Sequence, residues 1–404
     1  MKWRATRLKY LASLPITNGL GEQGRDAGEG SVRYLRTTDI AGPRTLDPSK
    51  WASLEPEVAR RAPVQRGDLL ICAAGSLGVT YLHDSDESAC YAGYLARFRP
   101  GREVDARFVS YWAQSQGFFD QIATGAVRST IDNFSAGKIR KLEISVPPLD
   151  EQRRIADFLD TETARLDNLQ ALRKRQVAQM TERAQSELDR LFGESTFRHT
   201  RLKFLLRQRI SYGVLVPRFV DEGGVRLIRV NDLVELKERA AGLAQIEMGQ
   251  SNEYRRTLVA ANDLLVVVVG SVGRSAVAPP EVAGANLARA VARLCPVDEV
   301  GAPLLWLWMQ SSDFQDQVAL ATGGDTAQPT LNVGDLGNFA LCLPEGERWR
   351  RGLAAEAQFT VSVRDDLITS CARQGALLSE RRQALITAAV TGQLDVTTGR
   401  LSHR

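Results

Sequence analysis

The chain repeats itself once over nearly its whole length. Arg7-Leu8-Lys9 returns as Arg201-Leu202-Lys203, and Val32-Arg33-Tyr34-Leu35-Arg36 with Asp39-Ile40 returns as Val225-Arg226-Leu227-Ile228-Arg229 with Asp232-Leu233. Gly67-Asp68-Leu69-Leu70 and Gly75-Ser76-Leu77-Gly78 are matched by Asn262-Asp263-Leu264-Leu265 and Gly270-Ser271-Val272-Gly273, and Ala123-Thr124-Gly125 by Ala321-Thr322-Gly323. The offset stays between 193 (Val32 to Val225) and 198 (Ala123 to Ala321). Solenoid units run about 20–50 residues, so a period this long means that the repeated unit is a whole domain plus a connector. Two copies of one domain imply two copies of one binding event.

At 404 residues, with 44% hydrophobic and 25% charged residues, the chain can bury two or three ordinary cores. Its 52 Lys and Arg against 48 Asp and Glu leave a formal charge of +4, which by itself neither requires nor excludes nucleic acid. Five scattered cysteines (Cys72, Cys90, Cys295, Cys342, Cys371) form no Cys-x-x-Cys pair, so they read as reduced core residues rather than a zinc site or a disulfide framework. The start lacks an apolar signal core, and no apolar run reaches membrane-spanning length, so the expected location is cytoplasmic, without membrane contact. In that setting the sequon Asn133-Phe134-Ser135 is a chance match.

Residues 1–148 mix short β-type runs, such as Leu69–Cys72 and Leu142–Val146, with a helical pattern over Arg107–Ile122. Pro147-Pro148 punctuates the chain, and from Leu149 to Phe192 there is no proline or glycine. Ile155, Leu159, Leu166, Leu169, Val177, Met180 and Leu188 form an interrupted apolar stripe there. A 44-residue helix would measure about 65 Å, more than a small domain needs. Gly193 is placed to cap it. The second β-rich domain spans residues 197–345. It is followed by a second helical stretch from about Trp349 to Val390, with Cys371, Leu378 and Leu385 at sevenfold spacing and Gly352 and Gly375 as local weak points. The segments are therefore 1–148, 149–196, 197–345 and 346–404. The fold class is α+β, with the two long helices burying their stripes against each other as an antiparallel pair.

Catalytic signatures are missing. Gly137-Lys138 lacks the upstream glycine of a phosphate loop, and the Gly-Ser-x-Gly strings do not complete a nucleophile elbow. The three histidines, His83, His199 and His403, stand apart and read as surface or loop residues. An amino-methyltransferase signature is absent as well; Asp47-Pro48-Ser49-Lys50 and Ala278-Pro279-Pro280-Glu281 both fail it. The chain therefore reads as non-catalytic. An enzyme with dispersed carboxylates, or a coiled-coil scaffold with two protein-binding domains, remains open at this point.

The string Ile144-Ser145-Val146-Pro147-Pro148-Leu149-Asp150-Glu151-Gln152-Arg153-Arg154-Ile155-Ala156 resembles the start of the first conserved region in specificity subunits of type I restriction-modification systems. The tail from Leu377 to Val396, with Glu380-Arg381-Arg382-Gln383-Ala384-Leu385-Ile386 and Thr391-Gly392-Gln393-Leu394, resembles the end of the second. This resemblance covers the whole chain. It implies two target-recognition domains reading the halves of a bipartite site on double-stranded DNA, separated by two long α-helices that form an antiparallel coiled coil. It also implies partner methyltransferase subunits in two copies, which carry S-adenosylmethionine and the adenine chemistry. Restriction/translocase subunits would use ATP and Mg, and no cofactor would sit on this chain. The second helix start departs from the pattern: Leu343-Pro344-Glu345-Gly346-Glu347-Arg348-Trp349-Arg350 lacks the Pro-Leu-Asp-Glu-Gln string.

For DNA reading, one loop per domain stands out: Thr124–Thr130, with Arg128, Ser129 and Thr130, and Thr322–Thr330, with Thr326, Gln328 and Thr330. Arginine suits guanine O6 and N7, and glutamine suits adenine N6 and N7. Lys138, Arg140 and Lys141 just past the first loop, and Arg274 in the Gly-Ser-Val-Gly-Arg turn, are the candidate phosphate contacts. Trp306 and Trp308 are assigned to a helix core rather than to base stacking.

Overall fold

The computed structural model describes residues 3–25, 30–125, 134–194, 197–297, 301–323 and 329–401. They form two units, Met1–Arg173 with Arg373–Arg404, and Lys174–Ala372.

In the first unit Arg4–Arg7 pairs antiparallel with Glu143–Val146, closing the α+β body on itself. Its central sheet runs in the order Thr17–Asn18, Leu95–Phe98, Leu69–Cys72, Thr80–Leu82. Every residue of Leu69–Cys72 is buried, because alternate side chains face two different cores. Leu69 and Ile71 pack with the helix residues Phe108, Trp112 and Phe118. Leu70 and Cys72 pack with Tyr34, Leu35 and Cys90 of a second four-stranded sheet, ordered Ser53–Leu54, Val32–Leu35, Ala89–Tyr91, Pro63–Val64. The body is thus layered as helices, sheet, sheet.

The second unit repeats this plan. Arg198–Arg201 pairs with Ala340–Leu343, and the central sheet is Ser211–Tyr212, Val291–Leu294, Leu264–Val267, Ser275–Val277. Leu264 and Val266 face one core while Leu265 and Val267 face the other. In its second sheet a parallel pair, Val225–Ile228 with Asn286–Leu287, matches the parallel Val32–Leu35 and Ala89–Tyr91. An extra strand, Phe219–Val220, is added at the edge.

Several one-residue details recur and show why the repeat is written where it is. Gly67 and Asn262 both sit at positive φ (89° and 67°), so the aspartate after each can accept a hydrogen bond from the backbone three residues earlier. Asp68 is then paired in the interior with Arg99 (2.6 Å) and Asp263 with Arg293 (2.5 Å). Gly19 and Gly213 lie where a Cβ would stand 2.0 Å from the Tyr91 carbonyl oxygen and 1.7 Å from that of Leu287, so only glycine fits either crossing.

The helix expected over Arg107–Ile122 is two helices, Ala106–Trp112 and Gln116–Gly125. Ser115 breaks it: its hydroxyl donates to the Trp112 carbonyl (2.7 Å) and accepts from the Phe118 N–H, ending one helix and capping the next. Ser311 does the same between Trp308 and Phe314, and the rings on either side of each break meet edge to face, at 5.1 Å and 4.9 Å. Trp308 is buried as expected, and Trp306 donates its indole N–H to the Ser275 carbonyl.

The long helices run Leu149–Phe192 and Glu347–Val390. In the first unit Gln170 donates to Ser379 (3.1 Å) and Arg382 faces Asp167 (3.6 Å); in the second Arg190 pairs with Glu356 (3.2 Å). In the first unit, as one partner's number rises the other's falls, which is antiparallel pairing. Ile155 and Leu159 share a core with Ile386 and Ala389, and Leu188 and Leu191 share another with Leu353, Ala357 and Val361. Leu169, expected in the buried stripe, is 40% exposed. Gly193 donates its N–H to Asp189 without entering the left-handed region, so it serves by close approach rather than as a left-handed cap. His83, expected at the surface, is buried (3% exposed) with neither ring nitrogen hydrogen-bonded. The cysteines are free thiols; burial pushes those of Cys72, Cys90 and Cys295 up to about 11. Among the described residues no helix is long and apolar enough to cross a membrane.

Candidate nucleic-acid interface

Each unit brings the same three segments to one end of its central sheet. In the first, the strand ending at Cys72 runs on to Ala73, whose N–H donates to the Tyr94 carbonyl and whose carbonyl accepts from Phe134 N–H (2.7 Å). In the second, Val268 N–H donates to the Ala290 carbonyl and its carbonyl accepts from Leu331 N–H, while Gly270 N–H donates to the Pro329 carbonyl. The Gly-Ser-x-Gly strings are the turns leaving this end: Gly75–Gly78 joins Leu69–Cys72 to Thr80–Leu82, and Gly270–Gly273 joins Leu264–Val267 to Ser275–Val277. They are strand connections. The helix that precedes the candidate loop ends at Gly125 in one unit and Thr322 in the other. The two loops are thus launched and received by matching scaffolds, as suits readers that vary while their frame is kept.

Arg128, Ser129, Thr130, Thr326 and Gln328 lie outside the described residues. Lys138 is half-buried; its Nζ donates to the Gly125 carbonyl (2.6 Å) and stands 5.9 Å from the Phe134 ring centre, tying together the two flanks of the first loop. Arg140 turns inward, donating from Nε (2.9 Å) and Nη2 (2.6 Å) to the Ile16 carbonyl, so its guanidinium braces the fold. Lys141, Arg274 and Thr330 are exposed. Lys138 and Lys141 line one depression with Thr124, Gly125 and Phe134. In the second unit Thr330 bridges Val269 while the Arg274 carbonyl accepts from Val267, so the two lie on opposite sides of the same strand end.

Two exposed residues beside these loops escaped the sequence reading. Tyr94 and Arg289 occupy the short turns entering the strand next to each loop. Their turns differ between the repeats, Tyr91-Ala92-Gly93-Tyr94 against Leu287-Ala288-Arg289-Ala290, so the repeat does not flag them. Among the described residues no group of acidic, histidine and cysteine side chains is placed to hold a metal.

The string around Gln152 has a structural role that its sequence does not announce. Gln152 is 1% exposed; its carboxamide oxygen accepts from Asp105 N–H (2.9 Å), and its Nε2 donates to the carbonyls of Glu103 (3.1 Å) and Pro147 (2.9 Å). Asp105 in turn caps helix Ala106–Trp112. Two turns further on, Asp160 receives Arg107 (2.8 Å), Arg44 (2.9 Å) and the Tyr111 hydroxyl (2.7 Å). At the second helix start Arg350 stands in the place of Gln152 and donates from Nε to the Pro344 carbonyl (3.2 Å), while its neighbour Trp349 is 72% exposed.

Residues 2–179 match the family model described as the type I restriction modification DNA specificity domain. The specificity subunit of the type I restriction enzyme EcoBI from Escherichia coli is 26% identical over 306 residues, which cover 69% of this chain and 64% of that subunit. The match therefore spans just under two thirds of that relative. A chain from a structure of complex assembly and conformational transition in the type I R-M system superposes with a TM-score of 0.74 at 19% identity, covering 97% of this chain and 98% of that one. The HsdS subunit from Thermoanaerobacter tengcongensis gives 0.55 at 19% identity, covering 97% of each. Residues 2–179 therefore carry the type I restriction modification DNA specificity domain, the relative points the same way, and the shared fold runs over nearly the whole chain.

Proposed function

We propose that this chain is the DNA sequence-specificity subunit of a type I restriction-modification complex, with recognition domains at residues 1–148 and 197–345 that read the halves of one bipartite target. The observation that carries this reading is the duplication itself: two bodies of one layered plan present differing loops from matching sheet ends, each body fastened to the long helices. A duplex offers two half-sites to two such readers when a spacer sets their separation. The subunit is non-catalytic. Partner methyltransferase subunits, two per complex, supply S-adenosylmethionine and the adenine chemistry, and restriction/translocase subunits supply ATP- and Mg-dependent cleavage, all in the cytoplasm.

The test is single-molecule sequencing of adenine methylation in cells carrying this chain with its methyltransferase partner, against cells lacking this chain. One interrupted motif that vanishes with the chain is the expected result. Methylation that is unchanged by its removal overturns the reading.

A further inference from the structure

A second feature recurs in both units, and it lies on the two-stranded sheet and the short 3-10 turn that follows its first strand rather than at the loops. With a constant offset of 194, Arg4-Ala5-Thr6-Arg7-Leu8-Lys9-Tyr10 is matched by Arg198-His199-Thr200-Arg201-Leu202-Lys203-Phe204. The leucine of each is fully buried and explains itself. The side chains around it are not needed by a core: Arg7, Lys9, Arg201 and Lys203 are exposed, Lys203 reaching only the Asn338 carboxamide oxygen at the surface (2.8 Å), and Tyr10 and Phe204 are 67% and 68% exposed. Neither aromatic is needed by a core, yet each carries its own lysine over the ring, at 4.6 Å for Lys9 on Tyr10 and 5.3 Å for Lys203 on Phe204.

More cations flank each strip. Lys9 N–H donates to the Arg140 carbonyl, which sets exposed Lys141 beside the first strip and joins it to the depression next to the first loop. Lys203 lines a second depression with Arg207 and Arg209, both exposed. Arg198 is engaged by Glu345 (3.5 Å), so the outermost pair, Arg4 and Arg198, does not share the pattern. A net charge of only +4 makes it notable that cations cluster at the same place twice.

We propose that these strips, centred on Arg7, Lys9 and Tyr10 and on Arg201, Lys203 and Phe204, grip the phosphodiester backbone of duplex DNA, one strip per half-site. This rests on the DNA-reading function above and adds a division of labour to it. The loops that differ between repeats discriminate bases, and the strip that is the same in both holds phosphates, which look alike in every sequence. Each aromatic lies against its lysine and offers an apolar face to deoxyribose beside the phosphate that the cation neutralises.

The test uses the full complex of this chain with its methyltransferase partner. It binds a duplex bearing the methylated motif and a duplex of scrambled sequence over a range of salt concentrations. The double variant R7Q/K9Q, and separately R201Q/K203Q, should weaken binding to both duplexes by the same factor. Each should flatten the dependence of log affinity on log salt by about 0.9 for every phosphate that is no longer neutralised, so by roughly 1–2. The ratio of affinities for motif and scrambled duplex should stay unchanged. Y10A and F204A should lower affinity for both duplexes without changing the salt slope. An unchanged slope in the charge variants, a loss confined to the motif duplex, or a loss of methyltransferase from the complex would each overturn the proposal, the last by making the strip a protein interface. If the unmodified complex binds both duplexes equally, the failure lies with the specificity reading rather than with the strip.

Discussion

Replacing Gln152 with alanine should loosen the first unit and leave the second intact. The mutation strands the Asp105 N–H, at about 1–3 kcal/mol for a buried unsatisfied donor, and removes one bond from the buried Pro147 carbonyl, at about 1 kcal/mol. The Glu103 carbonyl belongs to an exposed residue and can turn to water, so its loss adds little. One buried methylene adds about 0.8 kcal/mol. Against these terms, freeing a glutamine rotamer returns about 1.5 kcal/mol. The net is about 2.5 kcal/mol, a large share of the roughly 5–15 kcal/mol that holds a domain. The control is W349A, in the first turn of the second helix, where an exposed side chain should cost no more than about 0.5 kcal/mol. Hydrogen exchange through a urea series reads the two units separately by peptide. Protection should fall in peptides from 104–160 and 380–396 for Q152A, and nowhere for W349A. Q152E should be worse than Q152A, because a carboxylate would face two carbonyl oxygens. If Q152A costs below about 0.5 kcal/mol, or destabilises both units alike, the fastening role assigned to this side chain is wrong.

Three further outcomes are expected. G375A should stabilise the chain by up to about 1 kcal/mol, since a Cβ there meets open space and alanine favours the helix; thermal unfolding that falls instead would show that the position is not free. Burial holds the His83 imidazole below its ordinary value, so the unfolded chain takes up a proton that the folded one resists as pH drops past about 6.5. The first unit should therefore lose stability from pH 7.5 to 5.5, and H83F should flatten that slope; a slope unaltered in H83F would place its origin elsewhere. D263A leaves Arg293 buried and unpaired and should cost about 3–5 kcal/mol, whereas substituting the exposed Glu345 of the Arg198 pair should cost below about 1 kcal/mol, both by urea unfolding.

The repeat made the architecture legible. A domain written twice shows which residues the fold demands, and the paired glycine-aspartate and asparagine-aspartate turns, the Leu69–Cys72 and Leu264–Val267 strands and both long helices fall where the sequence places them. What stayed hidden was carried by single polar atoms. Ser115 and Ser311 break a helix that apolar periodicity draws as continuous, because periodicity is blind to a hydroxyl that competes with the backbone. Arg140 has the residue type of a phosphate ligand, yet its guanidinium is spent on the Ile16 carbonyl, since residue type says nothing of direction. Of the remaining candidates Lys141, Arg274 and Thr330 are at the surface, and the residues chosen for base reading lie outside the described segments, so the loops were placed by their flanks alone. The exposure of Tyr10 and Phe204 is not legible in the sequence, because an aromatic two residues from a buried leucine looks the same on paper whether it packs inward or outward.

The first unit is assembled from residues separated by the whole of the second: Ile386, Ala389 and Val390 complete a core begun by Leu8, Phe108 and Leu159. During translation this reverses the usual order. At about 5–20 residues per second, the ribosome takes about 10–40 s to pass from residue 173 to residue 373, and in that interval the second unit can close while the first lacks its last helical layer. The part of the protein made first is finished last, so through synthesis its apolar seam is left open to chaperones, and a message truncated before residue 386 yields one completed reader and one that is not.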